Sequence, residues 1–176
     1  MAAQRMFFAG TGGQGVLLMG QIVGSAAILE DKTVTFFPSY GPEMRGGTAN
    51  CTVIVSDKEI SSPLVSEYDT IVAMTLPSML KFEPMLRPGG IMLLNSTLIH
   101  QAPSRNDITV FEVPATALAT ELGDVRAANI VLLGAFIRAT SIIASDKVET
   151  VIRELFGTKK AELVEMEIKA YNCWKQ

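Results

Sequence analysis

Six residues near the start of the chain, Gly10-Thr11-Gly12-Gly13-Gln14-Gly15, carry its clearest chemical signal. Glycines at the first, third and sixth places of such a run, between a short apolar strand and an apolar helix, form the pattern of a turn that cradles an anion. Gly10 and Gly12 are expected to take positive φ in a tight turn, and Gly15 to let the helix lie close on the strand. The amides of Gly13, Gln14 and Gly15 would then stand at the positive end of the helix dipole, about half a charge, where a phosphate, pyrophosphate or carboxylate can sit. A bare structural turn in a Rossmann-like sheet accounts for the same glycines, and the spacing alone does not separate the two.

Other chemistries are poorly supplied. A phosphate loop of the Walker type needs Lys and then Ser or Thr after the last glycine, and Val16 and Leu17 stand there. A nicotinamide or flavin site needs an acid at the end of the second strand to hold the ribose, and that strand runs out as Phe36-Phe37-Pro38-Ser39-Tyr40. His100 is the only histidine, so neither a metal cluster nor a nucleophile–histidine dyad has much to draw on. Cys51 and Cys173 form no CxxC pair and fit a reduced, cytoplasmic protein. A net charge of −3, with no basic block beyond Lys159-Lys160, leaves no footprint for nucleic acid. No residue is assigned a catalytic role, and no metal site is expected.

The second unusual segment is Pro38 to Gly47, which presents Ser39, Tyr40, Gly41, Glu43, Arg45, Gly46 and Gly47. In a doubly wound sheet it would lie at the carboxyl edge, beside the glycine loop. Its glycines and prolines suit a loop of fixed shape that offers Tyr40, Glu43 and Arg45 to a ligand or partner. A solvated crossover with a surface Glu–Arg pair is the plainer alternative.

These loops need a framework to position them. Apolar and β-branched runs predict strands over residues 5–9, 33–37, 48–56, 69–74, 91–94 and 108–113. Helical spacing covers 16–29, 77–86, 116–122, 129–144, 146–156 and 161–174, and residues 87–90 read as a turn. The first strand, helix and second strand are expected as a right-handed βαβ unit. The fold class is therefore α/β: a Rossmann-like three-layer sandwich with a mostly parallel sheet and a helical C-terminal part, with residues 1–176 as one domain. Neither long apolar stretch, 16–29 or 129–137, reaches the roughly 18 residues of a membrane span. The start of the chain reads as a strand rather than a signal segment. The mean hydropathy of +0.31 predicts instead that some apolar surface meets a partner protein. Asn129 is expected to cap or tie a loop, Arg138 to lie at a helix rim, and Cys173 and Trp174 to pack the last helix down. Asn95 and Ser96 would end their strand at the ligand edge, free to bond across an interface.

Together the two loops resemble one family. The run from Phe8 to Val16, followed by Pro38 to Thr48, is similar to the gamma subunit of 2-oxoacid:ferredoxin oxidoreductases. The likeness continues through residues 69–73, Arg87-Pro88-Gly89-Gly90 and Gly123 to residues 129–134, and so covers nearly the whole chain. The resemblance implies a subunit of an enzyme that oxidatively decarboxylates a 2-oxoacid with coenzyme A, giving acyl-CoA, carbon dioxide and reduced ferredoxin. It implies that thiamine diphosphate, Mg²⁺ and iron–sulfur clusters reside on partner alpha, beta and ferredoxin-like delta subunits and that this chain binds no cofactor alone. Its role would be structural and CoA-gating, with both loops facing the catalytic subunits. Two rivals are a stand-alone nucleotide- or CoA-binding α/β protein, which lacks a ribose-binding acid or a base here, and a pure scaffold.

Overall fold

Along the first strand Met6 and Phe8 alternate with Phe7 and Ala9, so both of its faces are apolar and both need cover. The computed structural model describes residues 3–40, 47–157 and 161–175. Its strands are β1 (Gln4–Thr11), β2 (Thr33–Tyr40), β3 (Thr48–Ser56), β4 (Tyr68–Ala73), β5 (Leu86–Asn95) and β6 (Thr109–Val113). Its α-helices are α1 (Val16–Ile28), α2 (Leu76–Phe82), α3 (Ala115–Glu121), α4 (Ala128–Thr140), α5 (Ser145–Gly157) and α6 (Ala161–Cys173). The strands form a sheet of order β2-β3-β1-β4-β5-β6, with β1 and β4 inside it. All six residues of β4 are buried, as its unbroken apolar run requires.

The sheet is mostly parallel, through β1·β4, β4·β5 and β5·β6. One feature of the expected βαβ unit needs correction. β2 runs in the same direction as β1 but is not its neighbour, because β3 returns antiparallel between them. One face of the sheet carries Met6, Phe8, Cys51, Val53 and Leu93 and packs under α1 and the C-terminal helices. The opposite face carries Phe7, Ala9, Ile71 and Met92 and packs against Met79 and Phe82 of α2 and its following turn. Towards β2 this second face leaves Phe37 58% exposed.

Several boundaries move for physical reasons. β2 continues past Pro38 to Tyr40, where a loop was expected; β2 is an edge strand, whose outer side makes no ladder bonds, and proline is tolerated there. Residues 87–90 belong to the start of β5, with Gly89 at φ 72° and a register irregularity opposite Tyr68 and Thr70. The helix expected over 129–144 stops at Thr140. Ser141 turns left-handed, Lys32 Nζ donates to the Ile142 carbonyl at 2.9 Å, and the Ala144 N–H donates to Glu30 Oε1 at 2.6 Å. Ten consecutive residues of α4, 128–137, are buried, the mark of a helix enclosed on every side. Among the described residues no helix is long and apolar enough to cross a membrane.

Candidate functional site

The glycine run leaves β1 at Thr11 and enters α1 at Val16, so the sequence-predicted strand–turn–helix context is present. The glycines divide the work differently from expectation. Positive φ falls at Gly13 (93°) and Gly15 (73°), not at Gly10 or Gly12. Gly15 is the N-cap of α1, and a β-carbon there would collide with the side-chain amide of Asn129. Gly10 is needed for close approach: a β-carbon on it would stand 2.6 Å from Gln14 Oε1 and 2.9 Å from Val16 Cγ1.

Of the three amides that the spacing offers to an anion, that of Gln14 is engaged within the loop. The Gln14 N–H donates to the Thr11 carbonyl at 3.2 Å, and the Thr11 N–H donates to Gln14 Oε1 at 2.8 Å. The Gly12 N–H donates to the Gly47 carbonyl at 2.9 Å. That bond joins the two sequence segments, and the pairing of Thr11 with Thr48 in the β1·β3 register brings them side by side. Ser39 and Tyr40 close β2 opposite Asn50 and Ala49. Gly41, Glu43, Arg45 and Gly46 lie outside the described residues.

Asn129 performs the tie expected of it. It is 4% exposed and donates from Nδ2 to the Gly15 carbonyl at 3.2 Å, locking α4 to the start of α1. Beside this junction is a cleft of about 230 Å³ walled by Gly13, Gly15, Asn129, Asp124, Arg126 and Glu167. Asp124 and Arg126 were not singled out from sequence, although an Asp directly after Gly123 is the signature of a cap. Asp124 accepts the Arg126 backbone N–H at 3.0 Å and its guanidinium at 2.6 Å. The hydrogen bonds and charge of Arg126 hold the Asp124 carboxyl below its ordinary value. Glu167 was also missed; it is 7% exposed on the apolar stripe of α6, and an acid on such a stripe is itself a signal.

Other candidate residues are spent on structure. Asn95 is fully buried, with Nδ2 donating to Thr116 Oγ1 at 2.8 Å and Oδ1 accepting the Thr116 N–H at 3.3 Å, so it is not free to bond across an interface. The Ser96 N–H donates to the Val113 carbonyl. Arg138 reaches the Tyr171 carbonyl and Asn172 Oδ1, each at 2.8 Å, and anchors the end of α6. Trp174 packs edge-on to Phe111, 6.4 Å between ring centres. His100 is exposed. Among the described residues, no three His, Cys, Asp or Glu side chains are grouped to hold a metal ion.

Comparison with known proteins gives this arrangement a relationship. The family model for pyruvate ferredoxin/flavodoxin oxidoreductase matches residues 5–173. The 2-oxoglutarate synthase subunit KorC of Methanocaldococcus jannaschii is 34% identical over 174 residues, 95% of this chain and 91% of KorC. The ketoisovalerate oxidoreductase subunit VorA of Methanothermobacter thermautotrophicus is 42% identical over 130 residues, 74% of this chain. The chain spans only 27% of VorA's length. The crystal structure of the keto/oxoacid ferredoxin oxidoreductase gamma subunit from Geobacter sulfurreducens superposes with a TM-score of 0.80 at 29% identity, covering 96% of this chain and 94% of that one. The chain therefore belongs to the pyruvate ferredoxin/flavodoxin oxidoreductase family.

Proposed function

We propose that this chain is the gamma subunit of a multi-subunit 2-oxoacid:ferredoxin oxidoreductase, acting as one domain that is not catalytic by itself. The carrying observation is the end-to-end match to KorC, a separate subunit of nearly the same length. Exposed apolar side chains support an assembled role: Phe37 and Leu64, 58% and 84% exposed, flank a groove of about 340 Å³. In this reading the glycine loop and the segment from Ser39 to Gly47 face the thiamine-bearing alpha and beta subunits. Thiamine diphosphate, Mg²⁺ and the iron–sulfur clusters stay on those subunits and a ferredoxin-like partner, and the protein works in the cytoplasm. Arg45, a fork-shaped cation on that segment, pairs with an acidic partner residue or a coenzyme A phosphate.

The test is mild affinity purification of the tagged chain from its own anaerobically grown host. Co-elution with a thiamine-diphosphate subunit pair and an iron–sulfur protein is expected, and the eluate can then be assayed on pyruvate, 2-oxoglutarate and 2-oxoisovalerate. Recovery of the chain alone with a bound small molecule would refute the subunit reading. If Arg45→Ala leaves both assembly and the KM for coenzyme A unchanged, the role given to Arg45 is wrong.

A further inference from the structure

Loops that join a strand to a helix through glycines hold anions because their backbone N–H groups curve around a single point, close to the positive end of the helix. A ligand oxygen normally occupies that point. In this chain an oxygen of its own lies within the turn. Gln14 Oε1 accepts the Thr11 N–H at 2.8 Å and fills the hollow over Gly10, 2.6 Å from where a β-carbon would be. The Gln14 N–H is turned back onto the Thr11 carbonyl at 3.2 Å, and the Gly12 N–H is engaged by the Gly47 carbonyl at 2.9 Å. Three donors of the loop, at positions 11, 12 and 14, are therefore satisfied within the protein, Gln14's being one of the three amides that the spacing offers to an anion.

We propose that Gln14 is the specificity-determining residue of this loop: its side-chain carbonyl stands in for a ligand oxyanion, keeps phosphate groups out, and sets the loop as a rigid turn presented to protein. The inference builds on the subunit reading, in which the loop faces partner chains. It also sharpens that reading, because coenzyme A phosphates are then held elsewhere than on these amides. The amide carbonyl is a neutral acceptor, whereas a carboxylate of the same length would place a charged acceptor at the same point and at the favourable end of α1. A lysine there offers only donors to a group that needs an acceptor.

The experiment uses the full 176-residue chain and needs no partner, so its failure is separable from failure of the subunit assignment. Urea denaturation at pH 7 compares the native chain with Gln14→Glu, Gln14→Ala and Gln14→Lys. Backbone amide spectra then follow a pyrophosphate titration at constant ionic strength. Gln14→Glu is expected to unfold at a midpoint equal to or above the native one, with Gln14→Ala and Gln14→Lys below it. Native amide signals of residues 11–15 stay in place with pyrophosphate. In Gln14→Ala they shift saturably, a gain of binding that the native chain does not show. Saturable native shifts at these amides overturn the proposal, as does a Gln14→Glu chain no more stable than Gln14→Ala. A folded Gln14→Ala chain that gains no pyrophosphate binding overturns it equally. Should Gln14→Ala not fold, the native titration and the Glu and Lys variants still decide.

Discussion

The contact between Gly15 and Asn129 can be tested by a double-mutant cycle. Gly15 sits at φ 73° and ψ 22°, and any β-carbon there lands on the Asn129 amide. Holding alanine in that left-handed conformation costs about 1–2 kcal/mol. Pushing Asn129 aside loses its bond to the Gly15 carbonyl, about 1 kcal/mol, and crowds a buried site by about 1–3 kcal/mol. Gly15→Ala should therefore lose about 3–6 kcal/mol. Asn129→Ala alone should lose only about 1–2 kcal/mol, since the Gly15 carbonyl still accepts the Met19 N–H at 3.1 Å. With Asn129 already truncated the alanine at 15 meets no obstacle, so the double variant should lose about 2–4 kcal/mol and fall short of additivity by about 2–4 kcal/mol. Urea unfolding followed by circular dichroism and by the fluorescence of the single tryptophan, Trp174, reads each corner of the cycle. Additivity within about 0.5 kcal/mol would refute the contact, and a neutral Gly15→Ala would refute the positive φ itself.

Further expectations follow from other pairs. Burial pushes the Glu30 carboxyl up, but the bonds from Lys32 and the Ala144 N–H and nearby positive charge bring it below its ordinary value of 4.5. Asp124 is likewise held low by Arg126. Groups depressed in the folded state stabilise it above their unfolded pKa, so stability should be level from pH 8 to about 5.5 and fall below about pH 4.5. Glu30→Gln should flatten part of that fall, measured as the urea midpoint against pH. Burial pushes the Cys51 thiol up to about 12, and the side chain is fully enclosed. A thiol reagent at pH 8 should therefore modify Cys173 first and reach Cys51 only on unfolding, read by mass mapping. Arg138→Ala removes two hydrogen bonds at 2.8 Å and the stacking of its guanidinium, 5.4 Å from the Tyr171 ring centre. It should cost about 1–3 kcal/mol and raise amide exchange selectively in α6.

Much of the architecture is legible in residue patterns because those patterns are local. The β-branched run from Thr48 to Ser56 matches its strand to the residue, and Asp69–Met74 differs from β4 by one position at each end. The strand–glycine–helix signature, the family resemblance and the tying role of Asn129 were all readable without coordinates. The tertiary structure decided what depends on distant partners. The place of β3 between β1 and β2 is a matter of long-range pairing, which leaves no trace in either strand's own composition. The stop of α4 at Thr140 depends on Glu30 and Lys32, more than a hundred residues away, capturing the backbone beyond it. The glycine fingerprint determined that a tight turn would open α1; only the folded loop decided that Thr11 and Gln14 would satisfy each other's amides within it. A spacing rule states where glycines permit the backbone to curve, but which oxygen fills the curve is set by side-chain direction, a property of three dimensions.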